Sequence, residues 1–147
     1  MTVIYVIAGR SLVGAIALSD VIREESREAI KDLKAMGVKV AMVTGDSEEV
    51  AKMVSSELGI SEYFAHVKPD MKASKVKELQ SRKLRVAMVG DGVNDAPALM
   101  QADIGIAVGA GTNVALESAG IVLVRNDPRD IVRVIRLSRH TYNKMLQ

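Results

Sequence analysis

VAMVGDGVNDAPALM, residues 86–100, is the stretch that decides how this chain folds. Residues 86–89 are continuously apolar, which is typical of a strand that is buried on both faces of a sheet. Gly90 and Gly92 follow this strand and allow the backbone to turn sharply. Residues 94–101 predict a helix, because an Asn-Asp pair can cap its start and proline is tolerated in a first turn. The stretch therefore indicates a strand, a tight turn and a helix in quick succession.

Three polar residues in this turn indicate a ligand site. Asp91, Asn94 and Asp95 follow the strand directly, which places them at the carboxyl edge of the predicted sheet. Ligands bind at that edge in open α/β sheets. Carboxylates beside the amides of a helix start suit Mg²⁺ and a phosphate that it bridges. A capped acidic turn without a ligand is the alternative that these residues leave open.

Strands and helices alternate through most of the remaining chain. Strands are predicted over residues 38–43, 63–67, 86–89, 104–108 and 121–124, and helices over residues 24–36, 48–58, 69–79, 94–101, 114–118 and from 128 onward. This alternation with short turns predicts a Rossmann-like α/β fold, a parallel sheet with helices on both faces. Residues 2–8 and 12–18 instead predict a β-hairpin, because two apolar runs are separated by a short Gly-Arg-Ser turn.

The composition excludes several classes of protein. The chain has 147 residues, of which 48% are hydrophobic and 26% charged, as expected for one globular domain with a real core. The net charge of +2 gives no reason to expect nucleic-acid binding. There are no cysteines, so disulfides and thiolate metal sites are excluded. No apolar run approaches the length of a membrane span.

A second polar turn is expected at the same edge of the sheet. Thr44, Gly45 and Asp46 follow the predicted strand of residues 38–43 and supply a hydroxyl, free amides and a carboxylate. Lys72, on the helix that begins at a proline, lies within reach of this edge. Together with the first turn, these groups are the parts that hold a phosphoryl group with Mg²⁺. No nucleophile or general base follows a first strand.

Several motifs, in this order, resemble the phosphorylation domain of P-type ATPases in the haloacid-dehalogenase-like superfamily. They are TGD, KPDMK and GDGVNDAPAL. DVIR, residues 20–23, resembles the DxxR element of that family, and residues 103–109 and 111–115 are similar to the segments that come after its GDGxND signature. The terminal LSRHTYNKMLQ resembles the stalk that enters a membrane helix in the heavy-metal branch, so the resemblance is strongest to copper- or silver-exporting pumps.

The resemblance implies a role for each matched residue. Asp91 would bind Mg²⁺. Asp95 would orient that site, either by binding the ion directly or by contacting one of its ligands. The other implied roles are hydrogen bonds from Thr44 and Asn94 to phosphoryl oxygens, a backbone amide from Gly45, membership of the catalytic TGD motif for Asp46, charge neutralisation by Lys72, and a hinge pair of Asp20 and Arg23 near the nucleotide-binding insert.

The resemblance also implies an organisation into parts. Residues 1–19 would be the terminal hairpin of a nucleotide-binding domain, and residues 20–147 a phosphorylation-domain fragment that ends at the stalk helix. The implied cofactor is Mg²⁺ and the implied substrate ATP. The implied partners are the rest of the same ATPase: a DKTGT segment and the nucleotide, actuator and membrane domains. The implied location is the cytoplasmic side of a membrane-embedded transporter, without nucleic acid.

One departure from the family pattern is large. The phosphorylated aspartate of the family lies in a DKTGT motif, and this sequence contains none. We therefore expect no aspartyl phosphate on this chain alone, and a missing central strand between residues 38–43 and 86–89. The alternatives are a non-catalytic Mg²⁺- and phosphate-binding module and a stand-alone phosphatase of the same superfamily.

Two smaller features have more than one interpretation. The two histidines, His66 and His140, are isolated in the sequence and favour surface or packing roles over ligand roles. Arg133, Arg136 and Arg139 recur every three residues on the last predicted helix. They form either a solvated face or a basic face near anionic lipid.

Overall fold

A computed structural model describes residues 2–18, 21–109 and 113–146. The elements, in chain order, are β1 (Thr2–Ala8), β2 (Ser11–Leu18), α1 (Glu24–Ala35), β3 (Ala41–Val43), α2 (Glu48–Leu58), β4 (Glu62–Phe64), a 3-10 helix (Pro69–Met71), α3 (Lys72–Ser81), β5 (Ala87–Gly90), α4 (Ala96–Gln101), β6 (Ile104–Val108), α5 (Asn113–Ser118), β7 (Ile121–Leu123) and α6 (Arg129–Met145). The alternation predicted from the sequence is confirmed, with element ends that differ by a few residues.

The strands form three separate sheets. β1 and β2 pair antiparallel as a hairpin, β3 and β4 pair parallel, and β5, β6 and β7 form a parallel sheet in that order. The parallel α/β fold is therefore confirmed, but the parallel strands form two sheets, with no pairing between β3 and β5. Within the described residues, each of these two strands has a hydrogen-bonded neighbour on one side only.

The prediction that the strand before the glycine turn is buried on both faces is wrong. In β5, Ala87 is exposed and Val89 is 40% exposed, whereas Met88 and Gly90 are half-buried. The covered residues lie on the face against which α4 packs. The other face lacks a comparable cover in the described chain, so alternate residues reach solvent.

Two predicted helix details also need correction. The helix expected from residue 94 begins at Ala96, because the backbone of Asp95 is not helical and Asp95 O accepts from Leu99 N, which makes Asp95 the N-cap. In α2, the apolar spacing of Val50, Met53, Val54 and Leu58 predicts a buried stripe, but Met53 is 53% exposed. Ala51 and Ser55 are the buried residues of that helix instead.

The core lies between α3, α4 and the sheet of β5, β6 and β7. Its most buried side chains are Val76, Leu79, Ala98, Leu99, Ile106 and Ala107. The described side chains of the β1–β2 hairpin, by contrast, are exposed on both faces, with Tyr5 and Ile7 each more than 60% accessible. The hairpin thus adds little to the core that positions the site.

The arginine row of α6 contacts α1. Arg136 donates to Asp32 at 2.8 Å, and Arg139 donates to the backbone oxygen of Met36 at 3.1 Å, while Arg133 pairs with Asp130 one turn before it. These contacts give the three guanidinium groups partners within the chain. In the described parts of the chain, the helices are too short or too polar to cross a bilayer.

Candidate functional site

The turn after β5 is built around the carboxylate of Asp91. Asp91 Oδ1 accepts hydrogen bonds from Val93 N at 3.0 Å and from Asn94 N at 3.4 Å. Gly92 makes this turn possible because its φ is 83°, a value that side-chain-bearing residues rarely adopt. Asp91 itself remains exposed. Its carboxylate is therefore held in place by backbone amides and stays open to a ligand from solvent.

Asp95 lies at the start of α4 and forms an ion pair with Lys72. Lys72 Nζ is 2.6 Å from Asp95 Oδ1, and the two side chains are only 18% and 11% exposed. A lysine in the first turn of α3 is unfavourable next to the positive end of the helix dipole. Because the pair is shielded from water, the attraction to Asp95 is stronger than at a surface and offsets that cost. The pair joins the starts of α3 and α4 at the end of β5.

Gly90 allows Asp95 to approach the end of β5. A Cβ atom at position 90 would lie 2.4 Å from Asp95 Oδ2 and 2.7 Å from Asp95 Cβ. Such distances are well below van der Waals contact, so a larger residue would displace Asp95 and its ion pair with Lys72. The first glycine of GDGVND is thus required by packing, while the second is required by the turn.

The turn after β3 is held by the segment that follows β4. Thr44 N donates to Phe64 O, and Val67 N donates to Thr44 O, both at 2.9 Å. The hydroxyl of Thr44 donates to Asp46 Oδ2 at 2.6 Å, and Asp46 N donates back to Thr44 Oγ1 at 3.1 Å. The threonine hydroxyl is therefore already oriented by the neighbouring carboxylate.

Arg23 reaches the same edge of the sheet from the beginning of α1. Its guanidinium donates to Asn126 O at 3.1 Å and to Asn126 Oδ1 at 3.4 Å. Asn126 also packs against Gly109, where a Cβ atom would lie 3.0 Å from Asn126 Cβ. Asp20, the other member of the expected hinge pair, lies outside the described residues, as do Gly111 and Thr112.

The expected site residues fall into three small groups. Lys72 is bonded to Asp95, Thr44 to Asp46, and Asp91 to the backbone of Asn94. All three groups lie at strand ends or helix starts on the carboxyl side of the parallel strands. The hydrogen bonds of the described residues do not join the threonine turn directly to the lysine–aspartate pair.

Two residues make long-range hydrogen bonds near the candidate site that had no signal in the sequence. Asn126 receives Arg23, and His66 accepts a hydrogen bond from the start of α2 at Glu48. Both contacts join segments that are distant in the chain. A single asparagine before Asp-Pro, or a single histidine in a loop, does not indicate such a partner in advance.

The donors present are compatible with Mg²⁺. This ion usually keeps several waters and takes one or two carboxylates from the protein. Asp91 offers an exposed carboxylate on a fixed turn, and Asp95 offers a second one that is already paired with a lysine. Among the described residues no group of three or more His, Cys, Asp or Glu side chains converges. The arrangement therefore suits a hydrated ion with an additional ligand rather than a closed metal cage.

Two clefts lie away from these residues. Two shallow cavities of about 240 and 400 Å³ share Lys34 and Gly59, between α1 and α2. The smaller one also borders residues 37–40, which precede β3 and therefore lie at the opposite end of the strand from Thr44. We assign the candidate site by its polar groups and not by cavity size.

The family follows from comparison with known proteins. Residues 2–103 match the family of haloacid dehalogenase-like hydrolases, and residues 72–135 match a second family of the same description. The chain belongs to the haloacid dehalogenase-like hydrolases.

The individual proteins to which this chain is similar are P-type ATPases, and the chain spans about a fifth of the length of the first of them. The copper-exporting P-type ATPase B of Archaeoglobus fulgidus is 61% identical over 99% of this chain, which spans 21% of that protein. A zinc-transporting PIB-type ATPase solved in the E2.Pi state aligns with 96% of this chain at 42% identity and a TM-score of 0.84, and 23% of it is covered. The catalytic domain of a CPx-ATPase aligns with 85% of this chain at 35% identity and a TM-score of 0.70, with 50% of it covered. The resemblance to the phosphorylation domain of heavy-metal P-type ATPases is confirmed.

Proposed function

We propose that this chain supplies the Mg²⁺- and phosphoryl-binding part of the phosphorylation domain of an ATP-hydrolysing, copper- or silver-transporting P-type ATPase. The observation that carries the proposal is the lysine–aspartate pair at the end of β5. Lys72 and Asp95 are shielded from water at the end of β5, the strand that the exposed residue Asp91 follows. A fixed cation and a solvent-exposed carboxylate at one strand end are suited to a phosphoryl group and its metal ion.

Each residue of the site has a task in this proposal. Asp91 holds Mg²⁺ with one carboxylate oxygen, while its other contacts to backbone amides keep the turn rigid. When bound, Mg²⁺ neutralises charge on the phosphoryl oxygens. Lys72 provides a second positive charge, and Asp95 fixes the position of the ammonium group. Thr44, Gly45 and Asn94 offer a hydroxyl, a backbone amide and a side-chain amide to phosphoryl oxygens.

Asp46 and Arg23 support these contacts. Asp46 orients the hydroxyl of Thr44, which can donate either to this carboxylate or to a phosphoryl oxygen. Arg23, with Asp20, lies where residues 1–19 join the rest of the chain. Its contact with Asn126 at the carboxyl edge supports a hinge between a nucleotide-binding domain and residues 20–147. ATP would be bound across this junction.

The wider setting is part of the same proposal. An acceptor aspartate in a DKTGT segment, nucleotide and actuator domains and a membrane domain would act together with this chain. The 42% identity to a zinc-transporting PIB-type ATPase and the 61% identity to a copper-exporting one support a heavy-metal transporter. The site would then face the cytoplasm at the membrane.

A Mg²⁺ titration followed by backbone amide shifts tests the proposal. We expect weak binding that shifts residues 90–95, because the carboxylate of the phosphorylated aspartate is missing from the ligand set. Asp91→Asn is expected to weaken binding about tenfold, since a ligand charge is lost. Asp70→Asn, which removes an exposed aspartate in the 3-10 helix, is the matched control and should bind like the parent chain. An unchanged titration in Asp91→Asn would refute the assignment of Asp91.

A further inference from the structure

The segment after β4 contacts both ends of the turn after β3. Val67 N donates to Thr44 O, and His66 N donates to Asp46 O, both at 2.9 Å. His66 adopts a φ of 53°, in the left-handed region that non-glycine residues rarely enter. Backbone of this kind persists only where surrounding contacts hold it in place. The conformation of His66 is thus tied to the turn that contains Gly45.

The side chain of His66 makes a third contact, with the start of α2. Glu48 N donates to His66 Nε2 at 3.3 Å. The first amides of a helix lack partners within the helix, and an acceptor from another segment satisfies one of them. Ser47 Oγ satisfies a second by accepting from Val50 N at 3.4 Å. An imidazole nitrogen accepts a hydrogen bond through its lone pair, so Nε2 acts here as the acceptor for the start of α2.

We propose that His66 is a positioning residue for the turn of Thr44, Gly45 and Asp46. Its imidazole accepts the amide hydrogen of Glu48, just beyond the turn, while its backbone N–H donates to Asp46 O at the end of the turn. The inference rests on the proposed function, because that function assigns the turn to the phosphoryl group. It adds a residue from the β4–α3 loop to the machinery, acting through the turn and not on the phosphoryl group.

Tyr63 in β4 contacts the same helix start. Tyr63 Oη donates to Glu48 Oε1 at 2.8 Å, and this carboxylate raises the pKa of Tyr63. Glu48 is therefore held through its backbone amide by His66 and through its side chain by Tyr63.

Amide shifts and hydrogen exchange of residues 44–48, measured at one pH, test the inference in the absence of phosphate. His66→Asn tolerates the positive φ but lacks the ring, so the amides of residues 44–46 are expected to shift and to exchange faster than in the parent chain. His140→Asn, in the exposed part of α6, is the matched control and should leave these amides unchanged. Unchanged amides in His66→Asn would overturn the inference.

A second pair of measurements separates this inference from the proposed function. His66→Gly keeps the backbone conformation without the ring, and should increase the exchange rate of Glu48 N about fivefold, as expected for one lost hydrogen bond. Inorganic phosphate with Mg²⁺ should then shift Thr44 and Gly45 about threefold more weakly in His66→Gly than in the parent chain. Equal shifts in both chains would overturn the role of His66 and leave the proposed function intact. A turn that depends on His66 but ignores phosphate would support the positioning and refute the proposed function.

Discussion

At the scale of single residues, the site depends on how closely Asp95 approaches the end of β5. The carboxylate has Lys72 on one side and the backbone of Gly90 on the other. A buried carboxylate needs a partner to compensate for lost hydration, and a fixed cation provides it. The absence of a side chain at position 90 is therefore as important for the site as the charges themselves.

Gly90→Ala is expected to destabilise the chain by about 1–3 kcal/mol, the usual cost of forcing an extra methyl group into a packed region. The new Cβ would meet Asp95 Oδ2 at 2.4 Å and separate it from Lys72. Urea unfolding measures the effect. Gly120→Ala is the control, because the nearest atom to its Cβ would be Gly105 O at 3.9 Å and its φ is not positive. Similar losses in the two variants would contradict this account of the close approach.

At the scale of elements, α6 is anchored at its beginning by two aspartates. Asp127 accepts from Arg129 N at 3.0 Å and from the guanidinium of the same residue. Asp130 is buried and accepts two hydrogen bonds from Arg125, at 2.9 and 3.0 Å. Carboxylates near a helix N-terminus are favourable for the helix dipole, so both groups help to start the helix that carries the arginine row.

The anchor at Asp127 is expected to weaken in acid. The side chain of Arg129, followed by its backbone amide, lowers the pKa of Asp127 to about 2, below the reference value of 3.8. A lowered pKa stabilises the folded state fully above the unfolded value, and this stabilisation is lost as pH falls from about 4 to about 2. Unfolding curves of the parent chain and of Asp127→Asn should therefore converge over this window. A difference that stays constant from pH 5 to pH 2 would contradict the assignment.

At the scale of the whole molecule, the sequence pattern predicted the order of strands and helices well. The spacing of apolar residues and the residues typical of turns are local features of the sequence. The strands predicted over residues 2–8 and 104–108 accordingly match β1 and β6. Exposure was predicted less well: an apolar run such as that of β5 indicates a strand but not which neighbours cover it. For Lys72, the sequence predicted only a position near the carboxyl edge of the sheet and not the ion pair with Asp95. The partners Asn126 and His66 depend on tertiary contacts that no local pattern encodes.

The lack of pairing between β3 and β5 was predicted from the family resemblance. The local sequence pattern gave no indication of it. Each strand has one paired edge and one unpaired edge within the described chain, and the β1–β2 hairpin pairs only with itself. β3 and β5 are thus not hydrogen-bonded to each other, and neither of them pairs with a strand of the hairpin. Unpaired edges can hydrogen-bond to water when exposed, but they are also templates for another strand. Val89, 40% exposed on β5, adds an apolar surface to that template.

We expect a peptide with an apolar strand that ends in Asp-Lys-Thr-Gly-Thr to bind between β3 and β5 in parallel orientation. Its backbone would satisfy the unpaired edges of both strands, and its aspartate would come to lie beside Lys72 and Asp91. Hydrogen exchange of Ala41–Val43 and Ala87–Gly90, with and without the peptide, measures the pairing. A matched peptide with prolines at two alternate strand positions cannot donate there and should give no protection. Equal protection by both peptides would show that the space between β3 and β5 does not bind an added strand. Full protection of these amides in the chain alone would show the same. Protection by the first peptide alone would show that a strand ending in the DKTGT aspartate can join the β3–β4 sheet and the β5–β6–β7 sheet into one continuous sheet.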